Sequence, residues 1–327
     1  MDMRFISELT ERISLDKTAF DKAIYELENN LDDVLYIKEN ASLNNMKPFV
    51  KALKKDRGKG ASVCLAAALL ISEDAYKQYK KLGISDEVFY DTFGDISVWV
   101  STAKREENID GLLEVWWIRH ILYLNMFKLG RMQYQFYKTD YILSGLSPLQ
   151  ALKAPIKNKS RVLNIHIPEG ARLDYSECEK SVLLARKFFS EYFPEYDYKG
   201  FVCDSWLLDP RNAEFMSTDS NIMKFSNLFC TVLKPHKNNT EIIRRLWGNQ
   251  NENPIFSVVG GYRLAEKNKK IICSPAVKRE TDTDLFLNKN YTFANNKAEV
   301  FLCINALLKC FLSFACFWEY CLRDWLL

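Results

Sequence analysis

The chain has 327 residues, of which 48% are hydrophobic, so it is long enough to form two globular domains with buried cores. Its 45 basic and 42 acidic residues give a formal net charge of +3, which provides no strong field for attracting nucleic acid or an anionic membrane. The nine cysteines show no C-x-x-C pair and no zinc-ligand spacing, and the charged N-terminus does not resemble a signal peptide. We therefore expect a cytoplasmic protein with reduced thiols that holds no metal and binds no nucleic acid.

The first 128 residues contain few glycines or prolines and predict a helical N-terminal domain. The last predicted helix is apolar on nearly all sides but contains Arg119 and His120, so we expect it between two domains rather than in a membrane. A buried arginine needs a partner, and the pair Arg119 and His120 is therefore expected either in a structural ion pair or in a site for a substrate carboxylate. The predicted helices are 16–28, 46–55, 62–82, 86–106 and 110–129.

Residues 161–210 predict a strand, a long helix and a second strand, and the two strands are expected to be parallel. In the first strand, His166 shares a face with Val162 and Asn164. The helix has Asp174 or Ser176 as its N-cap and must stop at Pro194. The second strand, over 200–208, contains Cys203 and Asp204.

Shorter elements flank this unit. Residues 132–137 alternate as a strand does, 221–229 predict an amphipathic helix, 230–233 a strand and 240–247 a last short helix. Residues 248–327 form an extension of uncertain structure, in which 300–318 are mostly apolar. This segment is interpreted as a buried helix or an atypical tail; a C-terminal membrane anchor is the less favoured reading, because Lys309 lies within the span.

Four strings of residues resemble a known family: WWIRHILYLNMFKLGRMQYQFY, LNIHIPEGARLDYSECEKSVLLARKFF, FVCDSWLLDP and SNIMKFSNLF. They are similar, in this order, to bacterial acyltransferase-like proteins in which a helical N-terminal domain precedes a GNAT-like C-terminal domain. The resemblance covers about residues 1–247. It implies an α+β fold, with a helical domain over 1–128, a GNAT-like mixed-sheet α/β domain over 129–247 and an atypical extension over 248–327.

The resemblance also implies transfer of an acyl group from acyl-CoA, which requires a base for the nucleophile and donors for the developing oxyanion. His166 alone is a candidate general base. A second hypothesis pairs His166 with Cys203, which would form a covalent acyl intermediate, against the simpler interpretation of Cys203 as a core residue. Asp204 is a candidate for orienting a histidine or for pairing with Arg119.

The loop before the long helix is the expected site for the pyrophosphate of coenzyme A, with Gly170 and Arg172 as its candidate residues. Compared with the GCN5-type pattern, which has two spaced glycines, this loop has one. Ser220 and Asn221 open the next helix, most simply as its cap; the resemblance implies that they lie near the splayed strands, where they would serve the thiolate.

From these residues we expect an acyl-CoA-dependent N-acyltransferase that acts on an unidentified small-molecule or amine acceptor. The alternative is a catalytically silent protein that binds a small ligand in the interdomain cleft.

Overall fold

The computed structural model describes residues 2–141, 146–214, 216–231 and 277–281. The N-terminal part is helical, and side chains start several of its helices: Asp16, Asp56 and Ser85 each accept a hydrogen bond from a backbone N–H three residues along the chain. The predictions of helices over 16–28 and 46–55 are confirmed, and the helix predicted over 62–82 is present but begins earlier, at Arg57. The helices are α1 (Met3–Arg12), α2 (Lys17–Asn29), α3 (Leu31–Asn40), α4 (Lys47–Lys55), α5 (Arg57–Leu82), α6 (Asp86–Phe93), α7 (Asp95–Glu107) and α8 (Val115–Leu122).

The segment 86–106, predicted as one helix, is two helices that separate at Gly94. Glycine is a poor helix former, and the break gives α7 its own N-terminus at this point. Asp95 is the first residue of α7, where the free N–H groups of the first turn favour an acidic side chain. The break therefore fixes the position of a carboxylate that belongs to the candidate site described below.

The prediction of one helix over 110–129 is wrong. Residue Leu124 has a φ of +52°, which ends the helical path soon after Leu122, and the chain continues as strand β1 (Met126–Leu129). Gly130, with a φ of +68°, permits the tight turn that pairs β1 with the next strand. At the other end, a Cβ on Gly111 would lie 2.5 Å from the backbone carbon of Ala61, so this loop rests directly on α5.

The C-terminal domain is built on a six-stranded mixed sheet with the order β1-β2-β3-β4-β6-β5. Strands β3 and β4 are parallel, as predicted, and the other pairs are antiparallel. The elements are β2 (Met132–Lys138), α9 (Pro148–Leu152), β3 (Arg161–His166), α10 (Tyr175–Tyr192), β4 (Phe201–Ser205), α11 (Asn221–Ser226), β5 (Phe229–Thr231) and β6 (Val277–Thr281).

Some predicted boundaries shift. The second strand of the βαβ unit ends at Ser205 and continues as a 3-10 helix over Trp206–Leu208, and the helix predicted over 221–229 stops at Ser226 before β5. Asp174 caps α10, as one of the two predicted alternatives. The predicted helix over 240–247 and the apolar run over 300–318 lie outside the described residues. Within the described part of the chain, no helix has both the length and the apolar character needed to span a bilayer.

One face of the sheet packs on α10. The ring of Phe136 contacts Phe189 with centroids 5.2 Å apart, and Tyr134 meets Ser181 through a 3.0 Å contact between their hydroxyls. All of these residues except Phe136 are almost fully buried. Because strand side chains alternate between faces, Gln133 and Gln135 point the other way, toward the helical domain.

The register places four polar side chains together on that second face. Gln133 is the cross-strand partner of His166, and Gln135 is the partner of Asn164. Directly paired residues of neighbouring strands share a face, so these four side chains form a polar patch on the sheet. We call this set, Gln133, Gln135, Asn164 and His166, the polar face.

Candidate active site

A cleft of about 410 Å³ opens between the polar face and helices α7 and α8. This volume is within the usual range of small-molecule sites, about 300–1,000 Å³. The ladder between β3 and β4 stops at Ile165 and Cys203, so the cleft also reaches the place where the two parallel strands end their pairing. Its walls include Asp95, Trp117, Gln133, His166, Gly170 and Asp204.

His166 occupies the end of β3 in this cleft. Its Nε2 lies 2.7 Å from Oε1 of Gln135, and the indole of Trp117 meets the imidazole in an edge-on contact with centroids 4.8 Å apart. Burial, with a smaller effect from His120, lowers the pKa of His166 to about 3. The imidazole is therefore neutral at physiological pH and has a nitrogen lone pair to offer.

The register does not place His166 and Cys203 on one face of the sheet, as their predicted pairing required. Cys203 is the cross-strand partner of Ile165, so its side chain lies on the α10 face, while His166, one residue beyond Ile165, lies on the polar face. Cys203 is fully buried, and it borders the cleft only where the strand pairing ends. The expectation of a shared face was wrong because the register of the parallel strands could not be derived from the two strands separately.

Asp204 lines the cleft and is exposed. The hydrogen bonds of His166 go to Gln135 rather than to this carboxylate. Arg119 is not its partner either, because the arginine lies at 3.3 Å from the carbonyl of Leu43 and its guanidinium stands 5.2 Å from the ring of Trp116. Asp204 is thus in the cleft without either of its predicted contacts.

Arg119 and His120 do not line the cleft as the structure describes it. Among the described residues no carboxylate lies within ion-pair distance of Arg119, so the predicted structural ion pair is corrected: a carbonyl and an aromatic face take its place. His120 lies behind His166, where Asn125 Nδ2 is 2.9 Å and Gln135 Nε2 is 3.2 Å from its Nδ1. Burial, followed by the charge of Arg119, lowers the pKa of His120 to about 4.

Asp95 forms the opposite wall together with two tryptophans. Its Oδ2 accepts hydrogen bonds from Trp117 Nε1 at 2.6 Å and from Trp99 Nε1 at 3.2 Å. Burial raises the pKa of Asp95, and the Trp117 bond and the Gln133 side chain act in the opposite direction. The carboxylate therefore ties α7 to α8 and orients the indole that contacts His166.

Gly170 lies in the loop between β3 and α10, with a φ of +102° that favours glycine, and it lines the cleft. The loop is held by Arg131, whose guanidinium donates to the carbonyls of Pro168 at 3.1 Å, Ala171 at 2.6 Å and Arg172 at 2.9 Å. Burial lowers the pKa of Arg131. The Arg172 side chain is exposed beside this loop, ahead of the Asp174 cap.

Ser220 is the N-cap of α11 and accepts a hydrogen bond from Met223 N at 3.3 Å. This is the simpler of its two interpretations. Neither Ser220 nor Asn221 lines the described cleft, and α11 has only six residues. The described residues also contain no group of three or more histidine, cysteine or acidic side chains arranged to hold a metal ion.

The sequence patterns did not indicate Asp95, Trp117, Arg131 and the two glutamines of β2 as site residues. The alternation of Gln133 and Gln135 with apolar residues was visible, and so was the face that Asn164 shares with His166. What was not visible was the antiparallel register, which brings the two pairs side by side. Asp95 was hidden because the break at Gly94 was not predicted.

The sequence matches two family descriptions. Residues 4–124 match the N-acyltransferase N-terminal domain, and residues 126–267 match the GNAT-like C-terminal domain. The boundary between the two matches falls between α8 and β1. No curated protein matches the sequence significantly.

Solved structures share the fold over most of the chain. A crystal structure of an acyltransferase in complex with decanoyl-CoA and teicoplanin has a TM-score of 0.65 at 17% identity, over 84% of this chain and 87% of that one. A mutant acyltransferase in complex with octanoyl-CoA has a TM-score of 0.65 at 16% identity, over 86% and 88% of the two chains.

Proposed function

We propose an acyl-transfer reaction on the premise that this chain belongs to the family that joins an N-acyltransferase N-terminal domain to a GNAT-like C-terminal domain. The reaction is transfer of an acyl group from acyl-CoA to the amine of a small-molecule acceptor. The observation that carries the proposal is a neutral His166 at the end of β3, in a cleft that opens where the parallel strands stop pairing. Structures of the same fold that were crystallised with acyl-CoA support the donor.

The donor would enter at the gap between β3 and β4. The ladder ends at Ile165 and Cys203, and an extended pantetheine arm with two amide groups suits an interrupted strand edge. Its pyrophosphate would lie at the loop with Gly170 and Arg172, close to the N-terminus of the 18-residue α10. Arg131 and Arg172 favour an anion there, whereas Asp174 and Glu177 oppose it.

The fit of coenzyme A to this chain is therefore better at its thioester end than at its phosphates. Asp174 already uses the first turn of α10, since it accepts from Ser176 N at 3.0 Å. In addition, three loop carbonyls face the Arg131 guanidinium. We infer that the pantetheine arm and the acyl chain contribute more to donor affinity than the pyrophosphate does.

The chemistry uses His166 as a general base. The amine nitrogen of the acceptor attacks the thioester carbonyl, an N–H proton passes to the imidazole, and the C–S bond then breaks to give an amide and the coenzyme A thiolate, which takes a proton. Gln133 is 1% exposed in the cleft wall, and its side chain lies close enough to Asp95 to lower the pKa of that carboxyl. It is placed beside His166 by the register and would donate to the carbonyl oxygen as negative charge develops there.

The low pKa of His166, about 3, determines which protonation state of the acceptor amine can react. It would not deprotonate a free ammonium group, so the acceptor must react as the neutral amine, and the histidine takes the proton from the cationic nitrogen formed after attack. We therefore expect the rate to rise with pH according to the ionisation of the acceptor amine, with no inflection near pH 6.5 from His166.

The alternative, a catalytically silent ligand-binding protein, is not favoured by the family or by the structural relatives. It would use the same cleft and would need no base there. The two hypotheses differ in one respect that can be measured, because only the transferase releases free coenzyme A from an acyl-CoA.

The experiment is calorimetric titration of purified protein with coenzyme A, octanoyl-CoA and decanoyl-CoA. We expect micromolar binding that tightens with the acyl chain, and a loss of about threefold to tenfold for Arg172→Ala, as for one exposed charge–phosphate contact. Arg4→Ala, which removes an exposed arginine from α1, is the matched control and should bind as the wild type does. Absence of binding by all three compounds would contradict the proposal.

A further inference from the structure

A chain of polar side chains connects the two histidines behind the cleft. Gln135, which is 9% exposed, lies between them: its Oε1 is 2.7 Å from Nε2 of His166, and its Nε2 is 3.2 Å from Nδ1 of His120. Asn125 Nδ2 lies 2.9 Å from the same His120 nitrogen. The chain thus runs from Asn125 on one side to the base at the cleft on the other.

The contact between His166 and Gln135 determines where the imidazole proton is. A nitrogen and a carbonyl oxygen 2.7 Å apart have a hydrogen atom between them, because two lone pairs would repel each other at this distance. The proton is therefore on Nε2 of His166, and the lone pair is on Nδ1. The amide nitrogen of Asn164 lies 3.2 Å from the same Nε2, and with that N–H already directed at Gln135 this approach is a contact rather than a second hydrogen bond.

The His120 end determines which way the Gln135 amide faces. His120 Nδ1 is approached by two amide nitrogens, so it is the acceptor in the closest contacts around this ring. The contacts to His120 Nε2 are longer, since Arg119 Nε and Gln135 Nε2 each lie 3.4 Å from it. With its nitrogen directed at His120, Gln135 can present only its oxygen to His166.

We propose, building on the acyl transfer proposed above, that Gln135 is a positioning residue that locks His166 in the Nε2–H tautomer so that Nδ1 is the atom that takes the acceptor's proton. An amide side chain does not pass protons onward. The proton that Nδ1 takes from the amine therefore leaves from the same nitrogen, to the sulfur of coenzyme A as the C–S bond breaks. One imidazole nitrogen then acts first as the base and afterwards as the acid.

The direct test is nitrogen NMR of the imidazole rings in the free, full-length protein. The chain has three histidines, 120, 166 and 236, so a protein labelled with ¹⁵N-histidine gives few signals, and His166→Gln assigns the one of interest. We expect a protonated Nε2 and an unprotonated Nδ1 for His166 at pH 7. A protonated Nδ1 would overturn the proposal.

Variants of Gln135 extend the test to turnover. Gln135→Leu removes the acceptor and should give a mixture of tautomers, with kcat lower by at least about tenfold and KM for acyl-CoA unchanged. Gln135→Glu keeps an acceptor for Nε2–H, so it should preserve the tautomer and most of kcat, with an inflection in the pH–rate profile moved upward by the new carboxylate. If Gln135→Leu keeps both the tautomer and kcat, Gln135 does not fix the tautomer and the proposal is wrong.

Gln133→Leu is the matched control for the NMR reading, because it changes the same residue type on the same strand and face and should leave the His166 tautomer intact. The failure of the lock can be distinguished from the failure of the proposed function. A protein that shows the expected tautomer but never releases coenzyme A would contradict acyl transfer alone, and one that turns over with the opposite tautomer would contradict the lock alone.

Discussion

The two faces of the central sheet use the same strands in opposite ways. On one face, Tyr134 and its apolar neighbours pack on α10 and are closed to solvent. On the other, Gln133, Gln135, Asn164 and His166 face the helical domain across a cleft. Because successive side chains of a strand point to opposite faces, the residues that pack the core are separate from the residues that line the cleft. A substitution on the α10 face should therefore change mainly stability, and a substitution on the polar face mainly activity.

The base itself has the largest expected effect on chemistry. His166→Ala removes the proton acceptor, and we expect kcat to fall by about 10²–10⁴ while acyl-CoA still binds. The measurement is the steady-state rate of coenzyme A release with an amine acceptor. A rate within about threefold of the wild type would show that another group takes the proton.

For a substitution on the apolar face we expect a loss of stability rather than a loss of activity. Phe189 is 1% exposed and contacts Phe136 across the α10 interface, so Phe189→Ala should lower the free energy of unfolding by about 3–5 kcal/mol. Urea denaturation measures this change. The part of the protein that remains folded should keep its turnover number, and a specific loss of kcat in the folded enzyme would break the separation of the two faces.

The polar face makes stability depend on pH through its histidines. The pKa values of about 3 for His166 and about 4 for His120 lie below the ordinary value near 6.5, so their protonation favours the unfolded chain. Their contribution is fully present above pH 6.5 and is lost as the pH falls toward the folded-state values. Each histidine should lower the free energy of unfolding by about 2 kcal/mol between pH 7 and pH 5.

Urea denaturation at a series of pH values measures this effect. His166→Asn removes one titrating group, so its free energy of unfolding should fall by about 2 kcal/mol less than that of the wild type between pH 7 and pH 5. A pH dependence that does not change in this variant would mean that His166 titrates normally.

Two variants of Asp95 separate the effect of its hydrogen bonds on stability from the effect of its charge. Asp95→Leu leaves the indole N–H groups of Trp99 and Trp117 without their acceptor, which should cost about 1–3 kcal/mol of stability. Asp95→Asn keeps an acceptor oxygen and removes a charge that burial disfavours, so it should cost less at pH 7. Thermal denaturation compares the two variants, and equal losses would indicate that the negative charge itself is required.

The smallest expected effect concerns Cys203. Because its side chain is on the α10 face, Cys203→Ala should change kcat by less than about threefold and stability by about 1 kcal/mol. Electrospray mass spectrometry after incubation with octanoyl-CoA should detect no acyl group attached to the wild-type protein through a thioester. A stoichiometric acyl-enzyme that disappears in Cys203→Ala would restore the covalent mechanism.

Local sequence patterns predicted most of the elements but not how they meet. The capped helices, the strand over 132–137 and the parallel βαβ unit follow from periodicity and from residues such as Asp174, all of which are local signals. The helical prediction over 110–129 failed because hydrophobic periodicity does not distinguish a buried helix from a buried strand. The decisive signals were Leu124 in a left-handed conformation and the turn at Gly130.

The candidate site was predicted only in part for a related reason. His166 and Gly170 were found because His166 ends a strand and Gly170 lies in the loop between that strand and the long helix, elements that the sequence defines. The partners of His166 depend on registers between strands that are distant in the sequence: Gln133 opposite His166, and Cys203 opposite Ile165. A shift of one residue in either register would exchange the faces, and no local pattern determines that shift.

Acyl transfer at the polar face can be tested most directly by following free coenzyme A. Octanoyl-CoA is incubated with the protein and a panel of primary amines, and the released thiol is measured with a thiol reagent, with His166→Ala as the parallel sample. We expect amine-dependent release by the wild type, formation of the N-octanoyl amine, and a rate lower by about 10²–10⁴ in the variant. Tight binding of octanoyl-CoA without release by any amine, or equal release by His166→Ala, would contradict acyl transfer at the polar face.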